Sequence, residues 1–212
     1  MNQSTYGRLT ASLLVLWFGL AFTAAALGWI QQPPNQPPLA LLVTVLVPFS
    51  IFGIWYAASR SFREFILSLN PGTLTLVHAW RLGGLAFIAL ARYRILPAGF
   101  ALTAGYGDIF IGATAAFVAS RLATPSHRRL FISWQIWGMI DLVTAVTLGA
   151  TAFLWNPGGI PTAPMTVLPM SLIPTFAVPL YFLLHIISIL QARRWTKDQN
   201  STLNAPLHPF AV

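Results

Sequence analysis

The sequence predicts an all-α, polytopic integral membrane protein: a bundle of six transmembrane helices with both termini in the cytoplasm. Of its 212 residues, 56% are hydrophobic and only 8% are charged, whereas a soluble domain carries about 25% charged residues. The apolar residues are also grouped in long runs rather than dispersed along the chain. With so few charges the protein cannot cover a water-facing surface in the usual way, so we expect lipid to cover most of it.

A helix needs about 20 predominantly apolar residues to cross a bilayer, and six segments meet or approach that length. They are 9–30, 38–58, 71–91, 97–120, 130–155 and 170–190. We therefore take 1–195 as a single transmembrane domain and 196–212 as a polar, disordered cytoplasmic tail. An alternative is that the first segment is a signal peptide cleaved near Ala26. Its apolar run is long for that role, so we favour an uncleaved helix.

The basic residues predict the orientation of the helices, because cytoplasmic loops carry an excess of Lys and Arg. With the N-terminus inside, two of the 12 basic residues face outward, Arg92 and Arg94, and Arg81 lies within a helix. The remaining nine face the cytoplasm: Arg8, Arg60, Arg63, Arg121, Arg128, Arg129, Arg193, Arg194 and Lys197. We expect a multi-pass protein of a bacterial inner membrane whose partner is the lipid bilayer, as a homo-oligomer or as a subunit of a membrane complex. No basic patch with interleaved aromatics points to nucleic acid.

Two stretches depart from regular transmembrane helices. Residues 61–69 place Phe62, Phe65 and Ile66 on one helical face, which predicts a short interfacial helix on the cytoplasmic side. Proline recurs every five residues between Pro164 and Pro179. This spacing opposes a regular helix, so we expect an extended or re-entrant outer segment before the sixth helix.

Three charged residues fall near the middle of the third, fourth and fifth predicted helices: Arg81, Asp108 and Asp141. A lone charge at that depth costs roughly 2.5–3.5 kcal/mol on insertion scales. We therefore expect the three side chains to face one another inside the bundle, either as a functional site or as a buried ion pair that fixes helix register. Trp134 and Trp137 share the helical face of Asp141, as pocket walls or as core packing.

Asp108 follows two glycines, in the sequence Gly105-Tyr106-Gly107-Asp108. Glycine loosens a helix and aspartate is a favourable N-cap, so the fourth helix is expected to break here and restart at Asp108. Half-helix termini at membrane depth form ligand or ion sites in transporters. The alternative is a continuous helix whose glycines permit close packing.

Two histidines, His78 and His185, lie in the cytoplasmic halves of the third and sixth predicted helices. Cysteine is absent, which excludes thiolate-bound zinc and cysteine-ligated iron–sulfur clusters. A b-type haem needs no cysteine, so the two histidines are candidate axial ligands. The other interpretation is that both are polar residues hydrogen-bonded inside the bundle.

No catalytic motif stands out, so the sequence leaves open whether the protein is an enzyme. The leading hypothesis is proton-coupled transport or a proton relay at a midplane site of Arg81, Asp108 and Asp141, with His78 and His185 on its cytoplasmic side. The second is a haem- or quinone-linked redox protein that uses the two histidines. The third is a non-catalytic membrane subunit or assembly factor whose buried polar residues serve packing alone.

The predicted topology is testable because the chain contains no native cysteine. In intact cells, a membrane-impermeant thiol reagent should label Gly158→Cys in the fifth-to-sixth loop and leave His127→Cys unlabelled. Both positions should react after the cells are opened. Labelling at position 127 but not at 158 in intact cells would reverse the orientation.

Overall fold

The computed structural model describes residues 3–33 and 36–203, and this part of the chain is 83% helical and contains no strand. Six of its helices are long and apolar enough to cross a membrane, which agrees with the predicted number. We call them the first to sixth spans: Ser4–Ala26, Leu39–Ala58, Pro71–Arg92, Ala98–Leu122, Pro125–Ala150 and Ile173–Trp195.

The largest difference from the predicted boundaries concerns the tail. The last helix, Val178–Leu203, continues well beyond the apolar segment. The predicted disorder of 196–212 stays a prediction, and 204–212 lie outside the described residues. Hydropathy marks where an apolar segment ends, but a helix can continue into polar sequence when no proline or glycine stops it.

A short amphipathic helix, Arg60–Ser68, lies between the second and third spans, as predicted. The Ser59 side chain accepts a hydrogen bond from the Phe62 backbone N–H and so caps the helix start. Phe62 stacks on Trp55 of the second span with ring centroids 3.8 Å apart. The Gln191 side chain of the sixth span donates to the Leu69 carbonyl at 2.7 Å. The helix thus connects the ends of the second and sixth spans.

The two ends of the bundle differ in character. One end, which we call the Arg-rich end, contains the start of the fifth span and the last turns of the sixth. There the Arg128 Nε–H donates to the Ala192 carbonyl at 2.8 Å and so joins these two spans. The opposite, Pro-rich end contains 27–33, 93–97 and 156–172. There the predicted irregular segment is present as a 3₁₀ turn, Ala163–Thr166, and a π-helical turn, Ile173–Ala177, and Thr162 donates to the Gly149 carbonyl at 3.1 Å.

The third span changes its winding in the middle. It is α-helical over Pro71–Val77, 3₁₀-helical over His78–Gly84 and α-helical again over Leu85–Arg92. A 3₁₀-helix has three residues per turn, so side chains at i and i+3 lie directly above one another. The buried residues follow that period without exception across the span: Thr75, His78, Arg81, Gly84 and Phe87. The 3₁₀ winding thus aligns His78 and Arg81 toward the bundle interior.

The fourth span is α-helical without interruption over Ala98–Phe117, so the predicted break at Asp108 is wrong. Its glycines serve close packing against the third span instead. A Cβ on Gly105 would lie 2.9 Å from the Gly84 carbonyl oxygen, and one on Gly112 would lie 2.6 Å from the Leu82 backbone nitrogen. Small residues let two backbones approach each other in this way. The irregular backbone expected in the fourth span is found in the third.

The close approach of the third and fourth spans predicts a contrast between two adjacent glycines. A Cβ on Gly84 would lie 2.5 Å from the Asp108 Cβ and 2.8 Å from the Gly105 carbonyl oxygen, whereas one on Gly83 meets nothing within 4 Å. We expect Gly84→Ala to lower the free energy of unfolding by about 1–3 kcal/mol through overpacking. Gly83→Ala should be neutral or stabilising, since alanine is the better helix former. Unfolding in mixed micelles, followed by tryptophan fluorescence, measures both, and equal stability of the two variants would contradict the packing.

Candidate functional site

The Arg81 guanidinium lies at the centre of the bundle and contacts three other spans. Its Nε–H donates to Asp108 Oδ1 of the fourth span at 2.7 Å, and Nη2 donates to Asp141 Oδ2 of the fifth. The Nη1 group lies 3.4 Å from the Gly138 carbonyl and 3.3 Å from His185 Nε2 of the sixth span. The Arg81 side chain is fully buried. The structure therefore places one guanidinium against both Asp108 and Asp141.

A directed chain of hydrogen bonds leads from Arg81 toward the Arg-rich end. Arginine has only donors, so His185 Nε2 accepts and the proton of the neutral imidazole is on Nδ1. That Nδ1–H donates to Gln135 Oε1 at 2.5 Å, Gln135 Nε2 donates to Thr75 Oγ1 at 3.2 Å, and Thr75 donates to the Pro71 carbonyl at 2.8 Å. His185, Gln135 and Thr75 are completely buried. A continuous network of buried hydrogen bonds therefore fills the interior of the bundle between Arg81 and the Arg-rich end.

His78 lies beside this network without joining it. Its ring stacks on the His185 ring with centroids 3.9 Å apart and an angle of 19°, and meets the Trp134 ring edge-on. Neither ring nitrogen of His78 has a hydrogen-bond partner among the residues that the structure describes. Two axial haem ligands would point a nitrogen at the iron from opposite faces of the macrocycle. Stacked rings with no gap between them do not fit that arrangement, so the geometry disfavours His78 and His185 as a haem-ligating pair.

Two glycines leave the space that the Asp141 carboxylate and the His185 ring occupy. A Cβ on Gly107 would collide with the Asp141 carboxylate, and a Cβ on Gly138 would collide with the His185 ring.

The two tryptophans on the helical face of Asp141 lie in different environments. Trp134 is buried and its indole N–H donates to Thr114 Oγ1 at 2.9 Å, whereas Trp137 is 61% exposed. Of the two interpretations, core packing therefore fits Trp134, and neither fits Trp137, which faces away from the bundle.

A cavity connects the charged cluster to the Pro-rich end. Its volume is about 70 Å³. Apolar side chains of the second to sixth spans form its walls, among them Leu41, Phe87, Phe100 and Leu142, and Asp108 is the one charged residue among the described residues that line it. Asp108 lies ten residues from the start of the fourth span, about 15 Å deep at 1.5 Å per residue. The Asp108 side chain is 18% exposed, whereas the Arg81 side chain has no exposed surface.

A family model matches residues 37–193, and its description is Domain of unknown function (DUF8737). The chain belongs to this family. The match covers the second to fifth spans, the sixth span as far as residue 193 and all five site residues, and it leaves the first span outside. No curated protein and no solved structure matches the chain.

Three contributors to the site were missed by the sequence analysis. Gln135 and Thr75 are uncharged, so a search for ionisable residues within spans passes over them, although a glutamine inside an apolar segment is itself a signal. Gly107 was interpreted as loosening the helix rather than as making room for a neighbouring carboxylate.

The residues described contain no group of three or more His, Cys, Asp or Glu side chains suited to a metal ion.

The cluster predicts a non-additive effect of its charges on stability. Arg81→Met leaves two carboxylates inside the bundle without a counter-charge and should cost about 3–5 kcal/mol in the free energy of unfolding. Adding Asp108→Asn and Asp141→Asn to the same chain should recover most of that loss, because no uncompensated charge remains. Unfolding in mixed micelles provides the values. As a control, Arg60→Met removes an exposed ion pair with Glu64 and should change little. A triple variant no more stable than Arg81→Met would contradict the cluster.

Proposed function

We propose that this protein is a multi-pass transporter of a bacterial inner membrane, with both termini in the cytoplasm, which exchanges a proton at the Arg81, Asp108 and Asp141 cluster. Large apolar side chains are exposed along the spans, including Trp80, Ile54 and Val15, and they support contact with lipid. The nine-to-two distribution of basic residues supports the orientation, in which the Pro-rich end faces outward.

The observation that carries the proposal is the charge imbalance of the cluster. One guanidinium, which is permanently charged, faces two carboxylates. His185 accepts a hydrogen bond from Arg81 and is therefore neutral, so the fully ionised cluster has one net negative charge in an apolar bundle. One bound proton neutralises it. A register lock needs a single ion pair, and a neutral acceptor could satisfy the remaining Arg81 donor. A second ionised carboxylate adds a cost of roughly 2.5–3.5 kcal/mol beyond that need.

Access to the cluster differs between the two ends of the bundle. The cavity reaches Asp108 from the Pro-rich end, while the buried network of His185, Gln135 and Thr75 closes the path to the Arg-rich end. A site in the membrane middle that is open to one side only is the arrangement required by alternating access. Gln135 also argues against a simple proton wire through this network, because an amide side chain is neither an acid nor a base at ordinary pH.

The 3₁₀ segment is a suitable element for the change of access. A stretch of 3₁₀-helix inside a longer helix often marks a hinge. If His78–Gly84 rewound to an α-helix, Arg81 would rotate by about 60° around the helix axis relative to His78, since three residues turn 360° in a 3₁₀-helix and about 300° in an α-helix. Such a rotation would separate Arg81 from some of its partners and couple the charge of the cluster to helix packing.

The test is infrared difference spectroscopy of the protein in lipid from about pH 5 to about pH 8, where an ordinary aspartate is ionised. We expect a protonated-carboxyl band that titrates in this range. Asp108→Asn and Asp141→Asn should each abolish it, because either change leaves one carboxylate opposite one guanidinium. Glu64→Gln, which removes an exposed carboxylate outside the cluster, should keep the band.

The absence of such a band from the wild-type protein would contradict the proton site. In that case the cluster is a register lock, and a non-catalytic subunit or assembly factor becomes the better account. A band that survives in both aspartate variants would also contradict it, because the titrating carboxyl would then lie elsewhere.

A further inference from the structure

The cavity at the Pro-rich end has the properties of a small-molecule site. Its volume of about 70 Å³ is several times the roughly 10–15 Å³ that a single water molecule needs, so it has room for a small organic group. Its walls are mostly apolar, its mouth includes the polar side chains of Gln32 and Thr162, and its deep part contains the Asp108 carboxylate. Such a pocket suits a molecule with an apolar body and one polar group at its inner end.

The charge of that polar group follows from the geometry around Asp108. Oδ1 accepts the Arg81 Nε–H, while Oδ2 takes no hydrogen bond from any described residue and the carboxylate is partly exposed. Arg81 does not line the cavity. A ligand entering the cavity therefore meets a carboxylate and not the guanidinium behind it. An anionic ligand would be repelled, and a neutral one would leave the excess negative charge of the cluster uncompensated in an apolar setting.

We propose that the cavity binds a small alkylammonium ion, that is, a protonated amine with a short apolar group, with the charged group at Asp108. This inference rests on the proposed function, because the cation replaces the proton that neutralises the cluster. The cluster has one excess negative charge, so it accepts one proton or one cation and not both. Binding of the amine therefore releases one proton from the cluster. Amine binding and proton binding exclude each other at the site, and this exclusion couples them.

The experiment compares two small probes of the same shape, tert-butylamine in its protonated form and neutral tert-butanol. Binding to the full-length protein is measured by titration calorimetry in two buffers of different ionisation enthalpy, which also gives the number of protons released. The ammonium should bind at least about tenfold more tightly than the alcohol, an effect of one charge pair in an apolar site. Its binding should release about one proton per molecule.

Two variants separate the contributions of charge and space. Asp108→Asn should reduce the affinity for the ammonium to that for the alcohol. Ala145→Phe fills the cavity from the wall of the fifth span without removing a charge, and it should weaken binding of the ammonium at least about tenfold. Its matched control is Ala86→Phe on the exposed face of the third span, which should bind as the wild type does.

The outcomes distinguish this inference from the proposed function. Equal affinity for the two probes, or an unchanged affinity in Ala145→Phe, would overturn the cation site, whereas the titrating infrared band would still support the proton site. Tight ammonium binding that needs Asp108 but releases no proton would support the cation site and contradict the proposed proton exchange.

Discussion

The fold is organised around the need to satisfy one permanent charge where no water is available. The Arg81 side chain has no exposed surface, so each of its donors must find an acceptor within the bundle. Asp108, Asp141, Gly138 and His185 supply these acceptors, and they come from the three spans that follow the third. A single side chain of the third span thus determines how the fourth, fifth and sixth spans are placed around it.

The packing of the helices follows from the same requirement. For the guanidinium to reach both carboxylates, the third and fourth spans must lie in backbone contact, and glycines at 84, 105 and 112 allow that contact. The first and second spans do not take part in the cluster, and only 11% and 6% of their most apolar stretches is buried, compared with 44% for the sixth. The loose packing of the second span against the others leaves the space that forms the cavity.

The sequence allowed the number of long apolar helices, the short amphipathic helix and the meeting of the three charged residues to be anticipated, because each follows from the hydrophobic pattern and the cost of charge in lipid. It did not reveal the winding of the third span. The period of three that runs from Thr75 through His78, Arg81 and Gly84 to Phe87 is visible in the sequence, but it differs little from a helical stripe. The Gly105 and Gly107 pair led to the wrong prediction of a helix break at Asp108 for another reason. A glycine has the same local effect whether it breaks a helix or admits a neighbour, and only tertiary packing decides between them.

The most direct test of this account is whether Arg81 holds both aspartates in a lipid bilayer. Aspartate occurs three times in the chain, at 108, 141 and 198, so aspartate-specific ¹³C labelling gives few carboxyl signals, which the Asn variants assign. Solid-state NMR with ¹⁵N-labelled arginine should show strong dipolar coupling of one guanidinium to the carboxyls of both Asp108 and Asp141, with the Asp108 contact at the 2.7 Å hydrogen-bond distance. Both couplings should disappear in Arg81→Met. Coupling to one carboxyl alone, or to neither, would contradict the shared ion pair on which the fold, the proton site and the cavity charge all depend.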